Sequence, residues 1–104
     1  MTPIFRWSGE YFGFLTTTGF LFEARGDYIG WVSDGVQVWA ADGSYLGDVV
    51  DAHYVLRDTS QPDPSPKKPP DKPTSFINLP ARASDRPARN PRSGYVDALE
   101  RFET

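Results

Sequence analysis

Gly9-Glu10-Tyr11-Phe12-Gly13, Gly26-Asp27-Tyr28-Ile29-Gly30 and Gly43-Ser44-Tyr45-Leu46-Gly47 are one phrase written three times, 17 residues apart. Residues on either side of the phrase also agree in kind at that spacing. Ile4, Leu21, Val38 and Val55 form an aliphatic column, and Phe5, Phe22, Trp39 and Leu56 a column of large apolar residues. Phe12, Ile29 and Leu46 form a third column, and Leu15, Val32 and Val49 a fourth. A period below about 20 residues is too short for the common helical repeats. It fits one β-hairpin per unit: strand, turn, strand, turn.

Each unit contains two runs rich in Val, Ile, Phe, Tyr and Trp, which suit a pleated surface. The first strands are expected near 3–7, 20–24, 36–40 and 53–57, and the second near 11–15, 28–33 and 45–50. Ser8-Gly9, Arg25-Gly26, Asp42-Gly43 and Ser33-Asp34-Gly35 supply turns, with glycine free to take a positive backbone angle. Simple alternation puts Tyr11, Gly13 and Leu15 on one face, with Tyr28, Gly30, Val32 and Tyr45, Gly47, Val49 as their equivalents. Gly13, Gly30 and Gly47 then leave room for a ring of the Phe5, Phe22, Trp39 column, or mark a bend. The opposite face carries Phe12, Phe14, Ile29 and Trp31, but Leu46 and Asp48 in the third unit. With Trp7, the aromatic residues Phe12, Phe14 and Trp31 make the candidate binding or tail-covered face.

The run from Asp27 to Gly47 (DYIGWVSDGVQVWAADGSYLG) resembles the 4-fold β-flower domain, in which such hairpins recur around a pseudo-fourfold axis. The resemblance spans residues 1–58 and implies an all-β, small open or shallow barrel followed by a Pro-rich tail. By analogy with Tubby-like shallow barrels it implies contact with lipid or a membrane surface, an inference from fold alone. The fourth unit keeps Tyr54-Val55-Leu56 but lacks the phrase after it. Val38 to Asp51 is also similar, over one hairpin, to PRC-barrel domains, which implies an adaptor that binds a protein partner.

Composition changes at residue 59. Six prolines fall between Gln61 and Pro73 among Asp, Ser and Lys, so 59–74 reads as an extended, solvated connection. Residues 1–58 carry 3 Lys and Arg against 8 Asp and Glu, net −5; residues 59–104 carry 8 against 6, net +2. Arg82, Arg86, Arg89 and Arg92 face only Asp85 across 79–92. An acidic sheet and a basic tail attract each other, and the tail is expected over the face holding Phe12, Phe14 and Trp31. Within the accessory tail 75–104, residues 75–79 read as a short strand able to complete the fourth unit. Residues 94–103 read as a helix, with Tyr95, Leu99 and Phe102 on one stripe and Ser93 as its cap.

The chain has no cysteine and one histidine, His53. That gives no thiolate chemistry, no His-pair metal site and little scope for triad catalysis. No cofactor, metal or catalytic residue is indicated, so the expected role is non-enzymatic: a small interaction or lipid-contacting module. An enzyme is the third reading. Its acidic folded part argues against nucleic acid. No apolar run approaches the length that spans a bilayer, and Met1-Thr2-Pro3 does not open a signal peptide, so a cytoplasmic location is expected. Residues 1–58 alone would bury only about 60% of their unfolded surface. With three Trp, five Tyr and seven Phe in the whole chain, the core calls for the tail, a ligand or a second copy to complete it.

Overall fold

The computed structural model describes residues 1–62, 64–71, 73 and 80–102, with Arg101 by its backbone alone. Among these, eight antiparallel strands follow one another in chain order: β1 (Thr2–Phe5), β2 (Tyr11–Leu15), β3 (Phe20–Glu23), β4 (Tyr28–Ser33), β5 (Gln37–Ala40), β6 (Tyr45–Val50), β7 (Tyr54–Asp58) and β8 (Tyr95–Asp97). A 3-10 helix, Ala98–Phe102, ends the described chain. Each strand pairs with the next, and the sheet curls into a half-barrel that brings β1 toward β7. The Phe5 N–H donates to the His53 carbonyl (2.8 Å) across that opening. His53 itself sits at the start of β7, its ring Nδ1 2.8 Å from the Pro3 carbonyl oxygen.

The 17-residue period is present in the hydrogen bonds. Arg6, Glu23 and Ala40 donate their N–H to the carbonyls of Glu10, Asp27 and Ser44 (2.8, 3.0 and 2.8 Å). Gly9, Gly26 and Gly43 donate back to Arg6, Glu23 and Ala40 (2.8, 2.8 and 2.9 Å). All three glycines hold φ between +92° and +95°, a region that side chains rarely adopt. That is why the phrase must open with glycine. Phe5, Phe22 and Trp39 lie opposite Tyr11, Tyr28 and Tyr45 in the three hairpins.

Each hairpin also carries an irregularity at the same place. Ile4 faces Gly13 and Phe5 faces Tyr11, so Phe12 is the extra residue of a bulge; Ile29 and Leu46 are its equivalents. A bulge shifts the phase of alternation. Phe12, Ile29 and Leu46 therefore join Ile4, Leu21, Val38, Val55 and the flanking Leu15, Val32 and Val49 in an aliphatic core. Phe14 and Trp31 go to the opposite, aromatic layer, where they stack on Phe22 and Trp39 with centroids 5.5 and 6.4 Å apart. Tyr11, Tyr28 and Tyr45 meet the Phe5, Phe22 and Trp39 rings in the same layer at 5.9, 5.7 and 5.5 Å. Tyr11 is buried, whereas Tyr28 and Tyr45 are half-buried. The alternation expected from sequence, which kept Phe12 with Phe14 and Tyr11 with Leu15, is corrected by this one inserted residue.

The mid-strand glycines have a different neighbour from the one expected. A Cβ on Gly13, Gly30 or Gly47 would run into the carbonyl oxygen of Phe22, Trp39 or Leu56. These are the column residues of the following unit. The glycines make room for the next hairpin's backbone, not for a ring.

The fourth unit is completed from far along the chain. Leu56, Arg57 and Asp58 of β7 pair with Asp97, Val96 and Tyr95 of β8. The predicted strand 75–79 falls outside the described residues. The predicted helix 94–103 is corrected to β8 and a single 3-10 turn. About ten residues make a marginal helix alone, whereas the free edge of β7 offers strand partners to Tyr95 and Val96. Beyond Asp97 the 3-10 turn lays Ala98 and Leu99 into the aliphatic core, with Phe102 packed against it. Tyr95 remains 39% exposed, off the stripe it was predicted to share with Leu99 and Phe102.

Candidate interaction surface

Besides the Phe5–His53 bond, Arg6 and Asp97 tie the first unit to the fourth. The Arg6 guanidinium donates to the carbonyls of Leu99 (2.7 Å) and Phe102 (3.5 Å). Asp97 accepts the backbone N–H of Trp7 (2.9 Å) with one carboxylate oxygen and that of Leu99 (3.0 Å) with the other. Asp97 occupies the place that Tyr11, Tyr28 and Tyr45 hold in their units. A carboxylate has two acceptor oxygens, so Asp97 takes one backbone donor on each.

Between β7 and β8 the chain crosses the aromatic layer. Arg82 lies over the Tyr11 ring (5.5 Å to the centroid), Arg86 over Phe5 (4.3 Å), and Arg89 over Trp7 and Tyr54 (4.6 and 5.1 Å). Arg92 sits between Trp7 and Tyr95 (5.8 and 5.5 Å), and Lys67 lies over Trp39 (5.7 Å). Backbone bonds fix the path: Lys67 N–H to Gly43 O (2.9 Å), Arg86 N–H to Gly9 O (2.7 Å) and Arg89 N–H to Trp7 O (3.1 Å). The Trp7 indole N–H donates to Asn90 O (2.9 Å), and Asp85 accepts the Tyr11 N–H (2.9 Å). Arg89 also pairs with Asp51 at 2.6 Å, which raises the guanidinium pKa above its ordinary value. Exposed cation–π contacts contribute about 0.5–1 kcal/mol each; their number gives the path its weight.

The four residues of the sequence-predicted face do not come together. Of the four, Trp7 lies under the tail arginines Arg89 and Arg92. Phe12 lies in the aliphatic core, near the Phe102 ring and under the Arg6 guanidinium. Phe14 and Trp31 are 1% and 7% exposed, within the aromatic layer. The rings under the tail cations are instead Phe5, Tyr11, Trp39, Tyr54 and Trp7, with Tyr95 beside Arg92. Phe5 and Trp39 belong to the same repeat column, and that was the signal in the sequence. The glycine and tyrosine positions of the repeat are all where the period puts them.

Burial raises the Tyr11 phenol above its ordinary pKa, opposed in part by Arg82, and raises that of Tyr28. A phenol is neutral when protonated, so the folded state holds these protons more tightly than the unfolded chain. Their contribution is complete below the unfolded value of 10.0 and is lost as pH rises through the folded values. Stability should therefore fall above about pH 10, and denaturation midpoints at pH 8 and 11 measure it. The Tyr28 hydroxyl is buried with no hydrogen-bond partner among the described residues. Tyr28→Phe should leave stability unchanged or raise it by up to about 1 kcal/mol. A clear loss in chemical denaturation would show that the hydroxyl is satisfied.

Among the described residues no group of three His, Asp or Glu side chains gathers as a metal site would require. No described helix is long and apolar enough to cross a membrane. No curated protein and no solved structure matches the chain. The sequence pattern of the 4-fold beta flower protein matches residues 2–95, which takes in all three complete hairpins, β7 and the whole crossing segment. The chain belongs to the 4-fold beta flower family.

Proposed function

We propose that this chain is a non-enzymatic interaction module whose aromatic layer binds an extended, basic, proline-bearing polypeptide, here its own residues 64–71 and 80–92 in cis. The observation that carries this reading is the run of Arg82, Arg86, Arg89 and Arg92, set over Tyr11, Phe5, Tyr54 and Tyr95 of the sheet. Proline-bearing segments suit such a surface, because their extended form is largely set before binding and little entropy is lost. The charges agree: the segment is basic and residues 1–58 are net −5. Lipid contact has less support, because the rings that would meet a bilayer lie under the crossing segment.

The test replaces residues 61–92 by a Gly/Ser linker of equal length, which keeps β8 and the 3-10 turn in the chain. A synthetic peptide of residues 80–92 should bind this variant saturably, shift its Trp7 fluorescence and raise its melting temperature. A folded variant that fails to bind the peptide, or that binds anionic vesicles in its place, would overturn the reading.

A further inference from the structure

Arg86 and Lys67 make the same contact on different units of the repeat. Arg86 donates its N–H to the Gly9 carbonyl, lays its own carbonyl against the Gly9 Cα, and holds its guanidinium over Phe5. Lys67 donates its N–H to the Gly43 carbonyl, lays its own carbonyl against the Gly43 Cα, and holds its ammonium over Trp39. Gly9 and Gly43 are equivalent positions, and so are Phe5 and Trp39. Each site is a ring and a glycine four residues later. The glycine has two roles here. Its positive φ forms the turn, and its missing side chain lets the visiting backbone reach the sheet.

The visiting residues share a signature as well. Both are cationic, and a proline follows within two positions: Arg86-Pro87, and Lys67-Lys68-Pro69 with the Pro69 ring beside Gly43. Pro87 holds Arg86 extended, which aims its N–H and C=O to one side; in the other segment the residue so restricted is Lys68, next to Lys67. The ring selects a positive charge and is tolerant of which one, since arginine sits on one unit and lysine on another.

We propose that the ring-and-glycine pair is a one-residue reading site, repeated around the sheet, for a cation in an extended proline-bearing peptide. The domain then takes such segments from other polypeptides in exchange for its own. Phe22 and Gly26 repeat the pair in the second unit. One contact of this kind is weak. A partner carrying two, spaced as Lys67 and Arg86 are, gains through effective concentration. This inference rests on the peptide-binding reading above and adds what is recognised.

The test uses the linker variant and four forms of the 80–92 peptide: native, Arg86→Lys, Arg86→Ala, and native sequence with the Arg86 amide N-methylated. Arg86→Lys should bind within about twofold of native. The alanine and N-methyl forms should each bind at least about fivefold more weakly, having lost the cation–π contact or the hydrogen bond. In nuclear magnetic resonance spectra the native peptide should shift Gly9, and a peptide of residues 64–71 should shift Gly43. Equal affinity for all four forms, or shifts away from these glycines, would overturn the reading site and leave peptide binding standing. Failure of every peptide to bind would remove both.

Discussion

Leu99→Asp is expected to prevent folding, and Leu99→Ala to cost about 2–5 kcal/mol. Leu99 is 0% exposed and lies in the aliphatic core with Ile4, Val38 and Val55. Its carbonyl accepts the Arg6 guanidinium and its N–H meets Asp97, so the backbone is held and cannot retreat. A carboxylate in that position would have to stay charged without a partner or take up a proton. Either course costs several kcal/mol out of a total of about 5–15 kcal/mol. The alanine variant should remain folded and melt roughly 10 °C lower or more. An alanine variant within about 0.5 kcal/mol of the parent would show that the terminal turn does not close the core.

Gly30→Val is the second large effect, with an expected loss of about 1–3 kcal/mol through overpacking. The new side chain would meet the Trp39 carbonyl oxygen, and β4 pairs with β5 over Gly30 to Ser33. Neither strand can yield without losing that ladder. Gly30→Ala tests the same point with the smallest possible side chain. Gly13 and Gly47 stand in the same relation to Phe22 and Leu56, so alanine there should also destabilise. An unchanged melting temperature at Gly30 would mean that the units sit farther apart than the structure places them.

The hairpins were legible because their turns need a residue without a side chain, and the chain meets that need every 17 residues at Gly9, Gly26 and Gly43. The faces were not, because a bulge leaves no mark on the composition. Phe12 and Phe14 read as neighbours on one face until the extra residue is counted. With the phase lost, the rings under the tail could not be chosen, although Arg82, Arg86, Arg89 and Arg92 already stood out as a basic run. The last segment failed for another reason. Leu99 and Phe102 lie three apart in a helical turn, and Tyr95 four before Leu99 extends the pattern by coincidence. What makes Tyr95 a strand residue is the unpaired edge of β7, a neighbour remote in sequence.

That remoteness sets an order of events. Each of the first three hairpins closes over a turn of about five residues, a microsecond process. Pairing β7 with β8 must close the loop of residues 59–94. That closure costs on the order of 2 kcal/mol more in chain entropy than a five-residue turn. The same step brings in Leu99, so the core stays open until it happens. The rate-limiting barrier to folding should therefore lie in this long-range closure, and the growing chain should carry three formed hairpins around an unsealed centre while residues 59–94 are being made.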